Sequence, residues 1–106
     1  MSVISRKGAY YPGTTQNGAT AGTSRITSAF STTTSIVRIA TQYDTYVQPG
    51  GASNTVATSS SMIIGAGQSE FFAVSHSSYL AYLQVASPGW ISVTELASQL
   101  PDGKGN

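Results

Sequence analysis

The chain has 106 residues, no cysteine, a formal net charge of +1 and only 8% charged residues. That length sets one domain with one modest core, and the missing cysteines exclude a disulfide framework and thiolate chemistry. The five Lys and Arg form no basic stripe, and no run approaches the roughly 18 apolar residues of a membrane helix, so neither nucleic acid nor membrane is an expected partner. A net charge this close to zero favours association over colloidal repulsion.

Residues 1–24 read as an extended N-terminal arm. Gly8, Gly13, Gly18 and Gly22 recur through it with Pro12, and such a stretch buries too little apolar surface to offset its ordering entropy alone. It carries handholds in Val3, Ile4, Tyr10 and Tyr11 beside Arg6 and Lys7, so Arg6, Lys7, Tyr10 and Tyr11 are the expected partner-binding residues of a docking arm. No apolar run follows Arg6 and Lys7, so no signal peptide is expected and the chain is expected to start in the cytoplasm.

Residues 25–34 predict a first short strand, with Ile26, Ser28 and Phe30 on alternate positions. In residues 35–48, Val37, Ile39, Thr41 and Tyr43 fall on one face of a strand too long to be single, which predicts a break near Gln42–Asp44 and a second strand over 45–48. Gln48-Pro49-Gly50-Gly51 reads as a Pro-Gly turn. Residues 52–61 read as a polar connection with a weak strand at 55–58, and Met62–Ile64 as a short strand closed by Gly65-Ala66-Gly67.

The runs EFFAV, YLAYLQV and WISV, within residues 70–93, predict three consecutive strands paired as a meander. The second and third form a hairpin closed by Ser87-Pro88-Gly89 as a type II turn, with positive φ at Gly89. Pairing Val85 with Trp90 puts Tyr82 opposite Val93 and Leu80 opposite Glu95, with Leu80, Tyr82, Ile91 and Val93 inward. Tyr79, Leu83, Val85 and Trp90 share the other face, to be covered by a partner subunit, so Trp90 joins the expected partner-binding residues. Residues 98–106 read as a polar tail. The fold class is all-β, a small antiparallel β-sandwich or jelly roll, with an arm at 1–24, a sandwich at 25–97 and a tail at 98–106.

No reaction is legible. His76 is the single histidine and lies in a predicted loop without a third group or an oxyanion hole. Asp44, Glu70, Glu95 and Asp102 are scattered, where a glycosidase pair needs two carboxylates across a cleft. One histidine with scattered carboxylates is too little for a metal site. Gly65-Ala66-Gly67-Gln68-Ser69 lacks the third glycine and the helix of a phosphate cradle and reads as a turn. Trp90, Tyr79 and Tyr82 offer a sugar-stacking platform as an alternative to a core or interface role. No enzyme activity, cofactor or metal is expected.

The order TQYDTYVQPGG, a Ser/Thr-rich link, then MIIGAGQSEFFAVSHSSYLAYLQVASPGWISVTEL, over about residues 36–96, resembles small virion proteins of tailed bacteriophages. The resemblance implies a β-sandwich structural protein of the capsid decoration (cement) type, located in the virion and without catalytic residues. Its implied partners are the major capsid protein or other virion proteins and further copies of itself, as a homo-oligomer with a trimer favoured. A neck or tail ring protein and a carbohydrate-binding jelly roll are the alternatives.

Overall fold

The structure is a computed structural model that describes residues 11–97; the expected tail at 98–106 and the first ten residues of the expected arm lie outside the described residues. Within 11–97 the chain is all-β. Its strands are β1 (Tyr11–Ala19), β2 (Arg25–Ile26), β3 (Ile36–Thr41), β4 (Thr45–Gly50), β5 (Met62–Ile64), β6 (Ser69–Ala73), β7 (Tyr79–Gln84) and β8 (Trp90–Ala97). They form two four-stranded sheets, β1-β8-β3-β6 and β2-β7-β4-β5, in which every pairing is antiparallel. That strand order is the two-sheet jelly roll.

Period-two alternation builds the interior. β3 turns Val37, Ile39 and Thr41 inward, β4 turns Thr45 and Val47, β7 turns Leu80 and Tyr82, and β8 turns Ile91 and Val93, all buried. Phe30 and Ile64 complete the cluster, with Phe72 and Val74 packed against it. Each fully buried aliphatic side chain here contributes about 1.5–3 kcal/mol of transfer free energy. The inward set Leu80, Tyr82, Ile91 and Val93 is the one the alternation predicts.

The chain passes from one sheet to the other where a break is expected. After Thr41 it bends through Gln42, Tyr43 and Asp44: Thr45 Oγ1 donates to Tyr43 O at 2.7 Å, and Asp44 Oδ1 accepts from Ala66 N–H at 2.8 Å. The bend also breaks the alternation, so Tyr43 is exposed instead of following Val37, Ile39 and Thr41 inward.

The expected meander does not form. β6 pairs with β3, β7 lies between β2 and β4, and β8 lies between β1 and β3. Tyr82 therefore stands opposite Val47 and Arg25, and Glu95 opposite Val37. Alternation reports that each strand has one buried face but not which neighbour it pairs with. The connections over 74–78 and 85–89 are five residues each, about 16 Å when extended, enough to cross between sheets roughly 10 Å apart.

The two Pro-Gly turns are also absent. Gly67 is the glycine with positive φ (70°) among the described residues, in the β5–β6 turn; Gly89 adopts an ordinary φ. Pro49 and Gly50 are the end of β4, opposite Leu80 and Tyr79. Leu80 exchanges its backbone bonds with Thr27 on the β2 side, donating to Thr27 Oγ1 and accepting from Thr27 N–H, so Pro49 owes β7 no donor. No strand forms at 55–58. Residues 51–61 instead lie over the outer face of the second sheet, tied by Ala57 N–H to Ser24 Oγ (2.9 Å) and by Ser61 Oγ to Gln48 Oε1 (3.1 Å). This cover buries Ala81 completely on a face that would otherwise meet solvent.

The sandwich begins at Tyr11 instead of residue 25. β1 is an edge strand paired along its length with β8, so residues 11–24 are not an arm. Its glycines serve close approach: a Cβ at Gly18 would lie 2.5 Å from the Tyr82 hydroxyl. The strand near residue 25 is two residues long, and Gln16 closes the seam beside it, accepting from Ser28 N–H (2.8 Å) and donating to Ser28 O (3.2 Å).

Candidate interaction surfaces

The core cluster is aliphatic and aromatic, and the buried polar side chains among the described residues are five threonines, Ser78 and Glu95. Among the described residues no three His, Cys, Asp or Glu side chains group as metal ligands. Two opposite ends of the sandwich carry the features of interest.

One end joins the β3–β4 bend to the β7–β8 connection. Gln42 N–H donates to Trp90 O at 3.0 Å, and Gln42 Oε1 accepts from Trp90 N–H at 3.2 Å. Thr20 Oγ1 accepts from Gly89 N–H at 2.8 Å, while Gly89 O accepts from Thr20 N–H at 2.8 Å. Tyr43 lies against Gly89, where a Cβ would be 2.8 Å from its ring. Tyr43 and Trp90, 44% and 47% exposed, thus stand beside one glycine, with Gln42 hydrogen-bonded to the Trp90 backbone. Tyr43 is the member that sequence reasoning missed, because the alternation grouped it on one face with Val37, Ile39 and Thr41. The expected trio Trp90, Tyr79 and Tyr82 is not assembled: Tyr82 is buried, and Tyr79 belongs to the other sheet from Trp90.

The other end is a cleft of about 280 Å³ between the start of β1, the end of β8 and the β2–β3 connection. Tyr11, Gly13, Ser31, Thr33 and Thr34 line it with Glu95. Glu95 is 8% exposed, and its Oε1 accepts both from Ser31 N–H (3.0 Å) and from Thr34 Oγ1 (2.5 Å). These bonds pin the connection onto β8. Tyr11 pairs with Ala97 and Trp90 with Ala19, so the two expected partner-binding residues that are described stand at opposite ends of the β1–β8 ladder, roughly 25 Å apart by strand rise. Arg6, Lys7 and Tyr10 lie outside the described residues.

The remaining candidates are dispersed. His76 is exposed in the β6–β7 connection, followed by Ser77 at φ 60° and by Ser78, whose buried Oγ has no hydrogen-bond partner among the described residues. Asp44 sits at the Tyr43 end and Glu95 at the other. Glu70 faces Ile39 and Glu95 faces Val37 from opposite sides of β3, about 10 Å or more apart and not converging on a cleft as a glycosidase pair does. Asp102 lies outside the described residues. The amides of the Gly65–Gly67 turn are used internally, Ala66 N–H on Asp44 and Gly67 N–H on Thr41 O.

The outer faces differ from ordinary solvated sheets. On the second sheet Leu83, Tyr46 and Ile63 form one cross-strand row, with Ile63 exposed. On the first, Thr15 and Thr94 share a hydroxyl bond at 2.9 Å, and the row continues through Arg38 to exposed Phe71. Arg38 is the sole charge in that row.

No family model and no curated protein matches the chain. Among solved structures it is similar to PirA, at 12% identity and a TM-score of 0.51 over 76% of this chain and 92% of that one. It is also similar to HppE in its iron(II) form, at 11% identity and a TM-score of 0.44 over 68% of this chain and 35% of that one. The cobalt(II) form of HppE with substrate stands likewise, at 10% and 0.43. The likeness to PirA shows the fold alone. The chain spans about a third of the HppE chains, and that likeness carries no argument. A jelly roll hosts many unrelated functions, so function must be argued from the surface.

Proposed function

We propose that this chain is a structural protein of a bacteriophage virion, of the capsid decoration type, which binds the assembled shell as a homo-oligomer and stabilises it. The observation that supports the reading is the number of large apolar side chains exposed on so small a domain. Tyr11, Tyr43, Ile63, Phe71 and Trp90 are all exposed, on a chain with 8% charged residues. Of these, Tyr43 and Trp90 come together beside Gly89, and adjoining exposed apolar side chains offer an interaction site. A protein that binds the assembled shell and not its dissociated subunits stabilises the shell by mass action, with no catalytic group required.

The test is quantitative. Purified virions separated by gel should contain this chain in copy numbers of the same order as the major capsid protein, and the isolated protein should bind expanded shells lacking it. A dozen or fewer copies per particle would instead assign it to the neck or tail. The Tyr43–Trp90 pair beside Gln42 favours a second reading, a glycan-binding jelly roll, since sugar rings stack on exposed aromatic faces flanked by amides. Glycan binding lost in Trp90→Ala, without shell binding, would select that reading.

A further inference from the structure

We propose that the outer face of the second sheet joins two copies of this chain, with Val56 of each packed on the Ile63–Tyr46–Leu83 row of the other. The inference rests on the oligomeric reading above and names a surface that would make the oligomer.

The face is stepped. Residues 51–61 cover the row that holds Gln48 and Ala81, and Ala81 is completely buried. One row along the same strands, Ile63 is 52% exposed beside half-buried Tyr46 and Leu83. Val85 follows Leu83 on that face and is exposed as well. Side chains directly across a ladder stand about 5 Å apart, so these residues make one apolar patch. On the raised half, Val56 is 57% exposed and is fixed from both sides. Thr55 before it bonds Ala52 O through its N–H (3.1 Å) and its Oγ1 (2.7 Å). Ala57 after it is buried, with its N–H on Ser24 Oγ (2.9 Å). A valine held out to solvent between two such ties loses little freedom when a partner covers it.

Charge selects a second copy as that partner. Residues 45–69, which hold β4, the cover and β5, contain no charged side chain, and neither does β7. Asp44, across from Val85 at the rim, has its Oδ1 on Ala66 N–H. An ordinary domain has about a quarter of its residues charged. Such charges would lose water against this face and find no counter-charge on it. The same face of a second copy brings none. The step also fits itself. Under a twofold axis parallel to the step, the raised half of each copy lies over the bare half of the other. The contact is isologous and places Val56 on the apolar row twice.

Sedimentation velocity across a concentration series tests this. Val56→Lys and Ile63→Glu change exposed side chains, so the fold should survive, which a melting curve checks. Each should weaken self-association about tenfold or more, because a charge is then desolvated against an apolar surface. Mixed in equal amounts, the two variants should associate within about threefold of wild type. A pair of unlike chains has one contact between the two introduced charges and one between native side chains. Should Ile63→Glu unsettle β5, Ile63→Thr keeps a β-branched strand residue and should still weaken association about threefold. Asn17→Lys, which adds a charge at an exposed position of the first sheet, should associate as wild type does. A wild-type chain that stays monomeric throughout the series would overturn the proposal. So would the absence of recovery on mixing, or an equal loss in Asn17→Lys. Association that survives both Val56→Lys and Ile63→Glu would remove this contact and leave the oligomeric reading to another surface. Pairs that form as described but fail to bind shells would leave this contact standing and defeat the decoration reading.

Discussion

The dipeptide Pro-Gly occurs at 12–13, 49–50 and 88–89, and the last two copies occupy different structural settings. The copy at 49–50 ends a strand, and the one at 88–89 lies in a connection that changes sheets. Neither glycine needs positive φ. What they share is lack of room: a Cβ at Gly50 would lie 2.1 Å from Thr55 Oγ1, and one at Gly89 would lie 2.8 Å from the Tyr43 ring and 2.9 Å from Gln42 Oε1. Glycine is used at both for space, and at Gly67 for conformation, where nothing lies within 4 Å of a Cβ.

The largest effect belongs to Gly50→Ala. Thr55 Cβ itself would be only 2.9 Å away, so the cover over the second sheet must lift. Destabilisation of about 2–3 kcal/mol is expected by denaturant titration, and Thr55→Ala added to it should recover more than half. A Gly50→Ala variant as stable as wild type would mean that residues 51–61 do not cover the sheet. Gly89→Ala should cost less, about 1–2 kcal/mol, because exposed Tyr43 and Gln42 can move aside, and Tyr43→Ala should rescue it. Gly67→Ala should cost about 1 kcal/mol from backbone strain. No truncation of a neighbour should rescue that variant, and a rescue would erase the distinction between space and conformation. Smallest is Ser78→Ala, expected to be neutral or stabilising by up to about 1 kcal/mol, because it removes a buried hydroxyl that finds no partner. A clear loss of melting temperature there would reveal a hydrogen bond that the structure lacks.

The strands whose burial follows alternation were legible in the sequence. The Thr41–Thr45 break, Met62–Ile64 and the inward set Leu80, Tyr82, Ile91 and Val93 all follow from local pattern. Pairing was not legible, because nothing local to YLAYLQ says that its neighbours are β2 and β4 and not the next strand along. β1 escaped notice for another reason. Only Gln16 and Gly18 turn inward from it, so a strand held by backbone pairing to β8 shows no apolar stripe at all. Of the candidate surfaces, Trp90 and Tyr11 could be nominated as exposed aromatics. Tyr43 and the Glu95 cleft required the bend and the β2–β3 connection to be placed.

The ladders nest: β1 pairs with β8, β2 with β7, β3 with β6 and β4 with β5. The chain is one long ribbon doubled on itself near residues 51–61, and its closing order is correspondingly constrained. β4 and β5 meet across the shortest loop, while each outer pair must wait for a longer one to close, a topology that folds on the slow, millisecond-to-second side of small domains. During translation the effect is sharper. β8 is the bridge between β1 and β3 and is the last of the described strands to be made, so the first sheet cannot be completed until residues 90–97 have left the ribosome. Until then β3 lacks one of its two strand neighbours, and the nascent chain exposes side chains such as Val37 and Ile39 that the finished sandwich buries.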